Sequence, residues 1–154
     1  MARTKIKICG VTSVEDAKLA CSFGADAIGL NFYSESKRGL TVSEGSAIEV
    51  SLPPFVSKVG VFVNPSQSFV NKALETISFD FLQFHGSESV SFCESFSLPY
   101  IKAIPAQNSV QILQDLENYN SASAILLDTK VGIISFSGID ASEFSLFAPP
   151  PTMF

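Results

Sequence analysis

Short apolar runs rich in β-branched and aromatic residues recur along the chain, separated by longer stretches whose apolar positions fall three or four residues apart. Lys5 to Ile8 alternates polar and apolar and predicts a first strand. "ADAIGLNF" (Ala25 to Phe32), "KVGVFVN" (Lys58 to Asn64) and "FDFLQFHG" (Phe79 to Gly86) predict the next three. "YIKAI" (Tyr100 to Ile104) and "SAILLD" (Ser123 to Asp128) predict a fifth and a sixth. After the first strand, Thr12 and Glu15 have capping-box spacing, Val14, Ala17, Leu19 and Ala20 supply apolar positions, and Gly24 is a C-terminal stop. Further helices are predicted over Val42 to Val50, Ser66 to Ile77, Ser87 to Phe96 and Asn108 to Asn118, each opening near Ser, Thr or Asn.

Taking Ile6, Ala27, Val59, Phe81, Ile101 and Ile125 as strand markers, the steps are 21, 32, 22, 20 and 24 residues. Strands alternating with helices at that spacing form a parallel sheet with right-handed crossovers. An open doubly wound sheet and a closed (β/α)₈ barrel both satisfy the pattern. Length favours the open sheet, because 154 residues are few for a complete barrel. Against it, no Gly-rich dinucleotide fingerprint follows the first strand.

Composition narrows the function more than the fold. The chain is 46% hydrophobic and 16% charged, enough for one sizeable core. A formal net charge of -5 argues against a nucleic-acid or anionic-membrane surface, while leaving room for a small anionic ligand. "MARTKIKICG" lacks the apolar core of a secretory signal, and no run of about 18 apolar residues predicts a spanning helix. Three cysteines without C-x-x-C spacing and a single histidine make a disulfide framework or a structural zinc site unfavourable, so a reducing, cytoplasmic setting is expected with no bound metal.

In either architecture the chemistry belongs at the carboxyl ends of the strands. Those positions read Cys9-Gly10, Asn31-Phe32, Asn64-Pro65, His85-Gly86, Ala103-Ile104 and Asp128-Thr129, which places a thiol, an imidazole and a carboxylate on one rim. Arg38 lies in "YSESKRGL", a long connection suited to face a ligand. Read without further context, Cys9 could be a buried strand residue, Asp128 a turn residue, Arg38 a solvated charge and His85 a rim-organising hydrogen bonder. Cys21 and Cys93, on predicted helices, read as packing residues.

"KIKICGVTSVEDAKLACSFGADAIGLNFYSESKRGL", "VGVFVN", "LQFHG" and "ILLDTKVG" follow one another in an order and spacing that resemble phosphoribosylanthranilate isomerase, a (β/α)₈-barrel family of tryptophan biosynthesis, from about Lys5 to Gly132. The resemblance implies an aldose-ketose isomerase without a cofactor. Its reaction is the Amadori rearrangement of N-(5-phosphoribosyl)anthranilate to 1-(2-carboxyphenylamino)-1-deoxyribulose 5-phosphate. It implies Cys9 as general base, Asp128 as general acid and Arg38 beside the substrate; His85, read from its strand-end position on the same rim, is a further candidate for substrate binding.

Beyond Gly132 the expected Gly-rich turn and two further βα units are replaced by "IISFSGIDASEFSLFAPPPTMF". The expectation is therefore an incomplete TIM-type barrel of about six βα units over residues 1–132, an atypical tail over 133–154, a frameshifted or truncated frame, and impaired activity for want of phosphate donors. A non-catalytic α/β remnant or a binding module is the alternative.

Overall fold

The computed structural model describes residues 3–106 and 109–128. Its elements alternate along the chain: β1 (Lys7–Cys9), α1 (Val14–Ser22), β2 (Ala27–Asn31), α2 (Val42–Glu49), β3 (Ser57–Phe62), α3 (Gln67–Thr76), β4 (Phe81–Phe84), α4 (Val90–Glu94), β5 (Tyr100–Pro105), α5 (Ser109–Asn118) and β6 (Ala124–Asp128). The strands form one parallel sheet in the order β1-β2-β3-β4-β5-β6. That order decides between the two architectures. A doubly wound sheet reverses its strand order to place helices on both faces, whereas unbroken sequential order with right-handed crossovers puts every helix on the same face. The sheet curls into part of a barrel, and the expected βα-barrel class is what the chain adopts.

Side-chain alternation then sorts the strands into two faces. Ile28, Leu30, Phe32, Phe62, Leu82, Phe84 and Tyr100 pack outward against Ala17, Ile48, Val70, Ala73 and Cys93 of the helices, forming the main core. Phenylalanines bind this layer together: Phe32 stacks on Phe62 at 5.3 Å, and Phe84 on Phe96 at 5.8 Å. The intervening residues, among them Cys9, Gly29, Val61 and Gln83, occupy the concave face. The carboxyl rim is thus carried on a sheet braced from behind.

Several predicted boundaries shift, each for a local reason. The first strand is Lys7–Cys9 rather than Lys5 to Ile8. Ile6 is instead anchored through its N–H, which donates to Asp26 Oδ2 at 2.8 Å. The first helix is capped by Ser13, which accepts from Asp16 N, and not by a Thr12–Glu15 box. Ser13 holds extended backbone one residue later and captures the free N–H first. A true reciprocal box occurs in α2 between Thr41 and Glu44. The fourth helix begins only at Val90, because Ser89 is its cap. Asn108, the Thr129 to Gly132 motif and the tail 133–154 lie outside the described residues.

The start of β1 is tied down electrostatically. Asp26 accepts from Ile6 N, from both Arg3 guanidinium nitrogens at 2.7 and 2.8 Å, and from Lys5 Nζ at 3.0 Å. The Ile6 hydrogen bond, followed by the Lys5 bond, holds the Asp26 carboxyl well below the usual carboxylate range. A depressed folded-state value contributes stability above the unfolded value, about 3.9, and that contribution is lost as pH falls through the folded one. Asp26→Asn is therefore expected to lower the urea midpoint at pH 7 and to differ less from wild type near pH 2. Equal gaps at both pH values would contradict this assignment.

Candidate active site

Cys9 ends β1 on the concave face with its thiol exposed. Its room is provided by its neighbour in register, Gly29: a Cβ there would stand 2.7 Å from Cys9 Sγ. The next residue, Gly10, turns the chain with φ +76°, a left-handed conformation that L side chains rarely adopt. The same bare Cα lets Arg38 lie across the turn, since a Cβ on Gly10 would come within 2.9 Å of Arg38 Nε. Arg38 Nη1 donates to the Cys9 carbonyl at 3.2 Å. The long loop after β2 thus folds back to place a guanidinium at the thiol end of the rim.

A second cluster stands at the opposite edge of the sheet. Pro105 pairs with Asp128 in the β5–β6 register, and Ala106 N donates to the Asp128 carbonyl at 2.8 Å, so the carboxylate projects from a fixed strand terminus. Asp128 Oδ2 lies 3.0 Å from His85 Nε2. The other ring nitrogen of His85 is 2.9 Å from the amide nitrogen of Gln83. Gln83 is buried and its Oε1 has no partner among the described residues. The backbone N–H of His85 donates to the Phe62 carbonyl at 2.8 Å, locking the end of β4 onto β3.

Beneath this cluster lies a buried ion pair that the sequence reading did not single out. Lys102 Nζ bonds Glu88 Oε2 at 2.9 Å, the Gly86 carbonyl at 2.6 Å and the Phe84 carbonyl at 3.3 Å, with Tyr119 below it. Glu88 also accepts from Asn64 N at 2.7 Å and from Gly86 N. Asn64, at φ 45°, accepts from Ser87 N through Oδ1. Together these bonds fasten the loops after β3 and β4 to each other and to β5. The signal was present in the sequence: Lys102 interrupts "YIKAI" and Gln83 interrupts "FLQFHG". A polar residue inside an apolar strand needs a buried partner.

An open pocket of about 310 Å³ sits at this end, lined by Asn64, His85, Gly86, Lys102, Tyr119 and Asp128 among others. Cys9 and Arg38 lie outside its lining, at the β1 edge. Of the four residues singled out from sequence, the fold pairs His85 with Asp128 and Arg38 with Cys9, and brings no contact between the two pairs.

The remaining cysteines behave as packing groups. Cys93 is fully buried, and burial pushes its thiol up to about 11, while the half-buried Cys21 is also raised by desolvation. Limited alkylation of the folded chain near pH 8, followed by peptide mass spectrometry, is expected to label Cys9 first and Cys93 last. Comparable rates at Cys9 and Cys93 would contradict the burial of Cys93.

A one-sided, sequentially wound parallel sheet with a thiol, an imidazole and a carboxylate on its carboxyl rim defines a βα-barrel chain equipped for proton transfer. The family described as N-(5'-phosphoribosyl)anthranilate (PRA) isomerase matches residues 6–138, and the chain belongs to that family. It is 44% identical over 149 residues to N-(5'-phosphoribosyl)anthranilate isomerase of Pseudomonas fluorescens SBW25, covering 97% of this chain and 71% of the relative. To the Nitrosomonas europaea protein of the same name it is 46% identical over 126 residues, covering 82% of this chain and 60% of that one. The crystal structure of phosphoribosyl anthranilate isomerase from Thermotoga maritima superposes with a TM-score of 0.79 at 36% identity, covering 86% of this chain and 64% of that one. A phosphoribosyl anthranilate isomerase solved in complex with reduced 1-(o-carboxyphenylamino)-1-deoxyribulose 5-phosphate superposes at 0.77, with 37% identity, over 82% of this chain and 66% of that one. The chain thus spans between three fifths and three quarters of the length of these relatives.

Proposed function

We propose that this chain carries the acid and base of an Amadori rearrangement on N-(5-phosphoribosyl)anthranilate. The observation that supports the reading most directly is the carboxyl rim itself, with the His85–Asp128 pair at one edge and the Cys9–Arg38 pair at the other. Two chemically distinct ends suit a reaction that needs a proton given at one atom and taken from another.

Ring opening requires a proton on the ribose ring oxygen as the C1–O bond breaks and its electron pair passes to that oxygen. Asp128, placed at a strand end and partly exposed, is the acid for that step. The resulting iminium acidifies the C2–H bond, and Cys9 as thiolate takes that proton. The enolamine then ketonises to the product, so the chemistry closes without a cofactor. Three cysteines free of disulfides suit a reducing, cytoplasmic setting.

The direct test follows the fluorescence of N-(5-phosphoribosyl)anthranilate with the purified chain. Decay that disappears in Cys9→Ala supports the isomerase reading; no decay above buffer favours a non-catalytic remnant.

Arg38 acts through binding in this scheme, because its guanidinium is exposed at the rim and, among the described residues, anchored to the Cys9 carbonyl. Arg38→Ala is expected to raise KM about tenfold or more with a smaller change in kcat, consistent with loss of a charge-assisted hydrogen bond to an anionic substrate. Arg38→Lys should restore part of the loss, because an ammonium lacks the planar fork. An unchanged KM in Arg38→Ala would return Arg38 to a solvated loop charge.

A further inference from the structure

We propose that Gln83 is a positioning residue that, through His85, assigns the transferable proton of Asp128 to Oδ1; this rests on the acid role given to Asp128 above. The Gln83 amide nitrogen faces His85 Nδ1 at 2.9 Å, and an amide N–H can only donate. His85 Nδ1 is then the acceptor, so in the neutral ring the proton resides on Nε2. Nε2 faces Asp128 Oδ2 at 3.0 Å and donates to it. An oxygen accepting that bond is not the one that carries the carboxyl proton. The acidic hydrogen therefore belongs to Oδ1, which has no side-chain partner among the described residues and is free to meet the ring oxygen. When Oδ1 delivers it, the remaining carboxylate still accepts from Nε2, which disperses the new charge.

The orphaned Gln83 oxygen supports this orientation. In the reverse amide orientation Oε1 would face Nδ1, and the whole amino group, with two donors, would take the buried position that has no partner. Buried donors are orphaned less readily than a carbonyl oxygen, so the observed orientation is the less costly one. The amide cannot leave for water, because Gln83 is only 1% exposed. Its register partners Val61 and Ile101 are apolar and offer no side-chain competitor.

His85 is the only histidine in the chain, so its ring can be read without assignment ambiguity. ¹⁵N spectra of ring-labelled full-length protein near pH 8, where an ordinary imidazole is neutral, are expected to show a bare Nδ1 and a protonated Nε2. In Gln83→Glu the carboxylate can only accept, and Nδ1 is expected to move from the bare-nitrogen to the N–H range. Gln83→Met removes the donor at similar volume and is expected to give averaged signals. A protonated Nδ1 in the wild-type protein, or a bare Nδ1 in folded Gln83→Glu, would overturn the proposal. Because the spectrum is read without substrate, failure here is distinct from failure of the isomerase reading.

Discussion

Asp128→Ala and Cys9→Ala are each expected to lower kcat by 10²-fold or more, the usual loss when a general acid or base is removed, with a much smaller change in KM. The measurement is substrate fluorescence decay in the chain, or in the chain joined to the part of a relative that it does not cover if turnover is slow. Asp128→Asn sharpens the test. Its amide can be turned to accept from His85 Nε2 as Oδ2 does, so the rim geometry survives while the proton to be given is gone. Loss of rate in Asp128→Asn equal to that in Asp128→Ala separates proton donation from packing. On the other side, Cys9→Ser keeps a hydroxyl of similar size beside Gly29 but is a far weaker base near neutral pH. Turnover within a few fold of wild type in either alanine variant would remove that residue from its role.

The second large effect concerns stability. Glu88→Leu is expected to cost about 3–5 kcal/mol, because it leaves the Lys102 ammonium buried without its counter-charge. Lys102 and Glu88 side chains are 3% and 2% exposed, so water cannot replace the lost partner. The double variant Glu88→Leu with Lys102→Met should recover part of this loss, since it removes the stranded charge. Full recovery is not expected: Asn64 N and Gly86 N lose the carboxylate that accepts from them. Urea unfolding of the single and double variants checks the order, and a Glu88→Leu loss below about 1 kcal/mol would contradict a structural pair. The same variants are expected to loosen the Asn64 and Gly86 loops, which flank His85.

Much of the fold is legible in the sequence because its elements are specified by short-range chemistry. "ADAIGLNF" and "KVGVFVN" are apolar enough to be buried on both faces, as central parallel strands must be, and both appear where read. Ser66 after Asn64-Pro65 caps α3 as its side chain permits. Where two caps competed within one turn, at Thr12 and Ser13, local pattern could not choose, because either hydroxyl can reach a free N–H. The backbone made the choice: Ser13 holds the extended conformation of a cap, and its side chain accepts from Asp16 N. The strand-end positions of the candidate residues were legible: Cys9, His85 and Asp128 lie on one rim.

What pairs with what was not legible. Nothing in the spacing of Gln83, His85 and Asp128 announces a hydrogen-bonded row, since Asp128 is 43 residues from His85 and meets it only because β5 lies between β4 and β6. Lys102 inside an apolar strand signals a buried partner, but which carboxylate meets it is not legible, because Glu88 reaches it only once the β4 loop folds over β5. By itself the sequence determined the alternation of strands and helices, the apolar faces and the chemical groups at the strand ends, because those depend on backbone propensity and on burial period. The tertiary structure alone decided the one-sided winding, the Arg38 contact over Gly10 and the charge buried beneath the rim, because strand order and side-chain contact are set by packing between residues far apart in the chain.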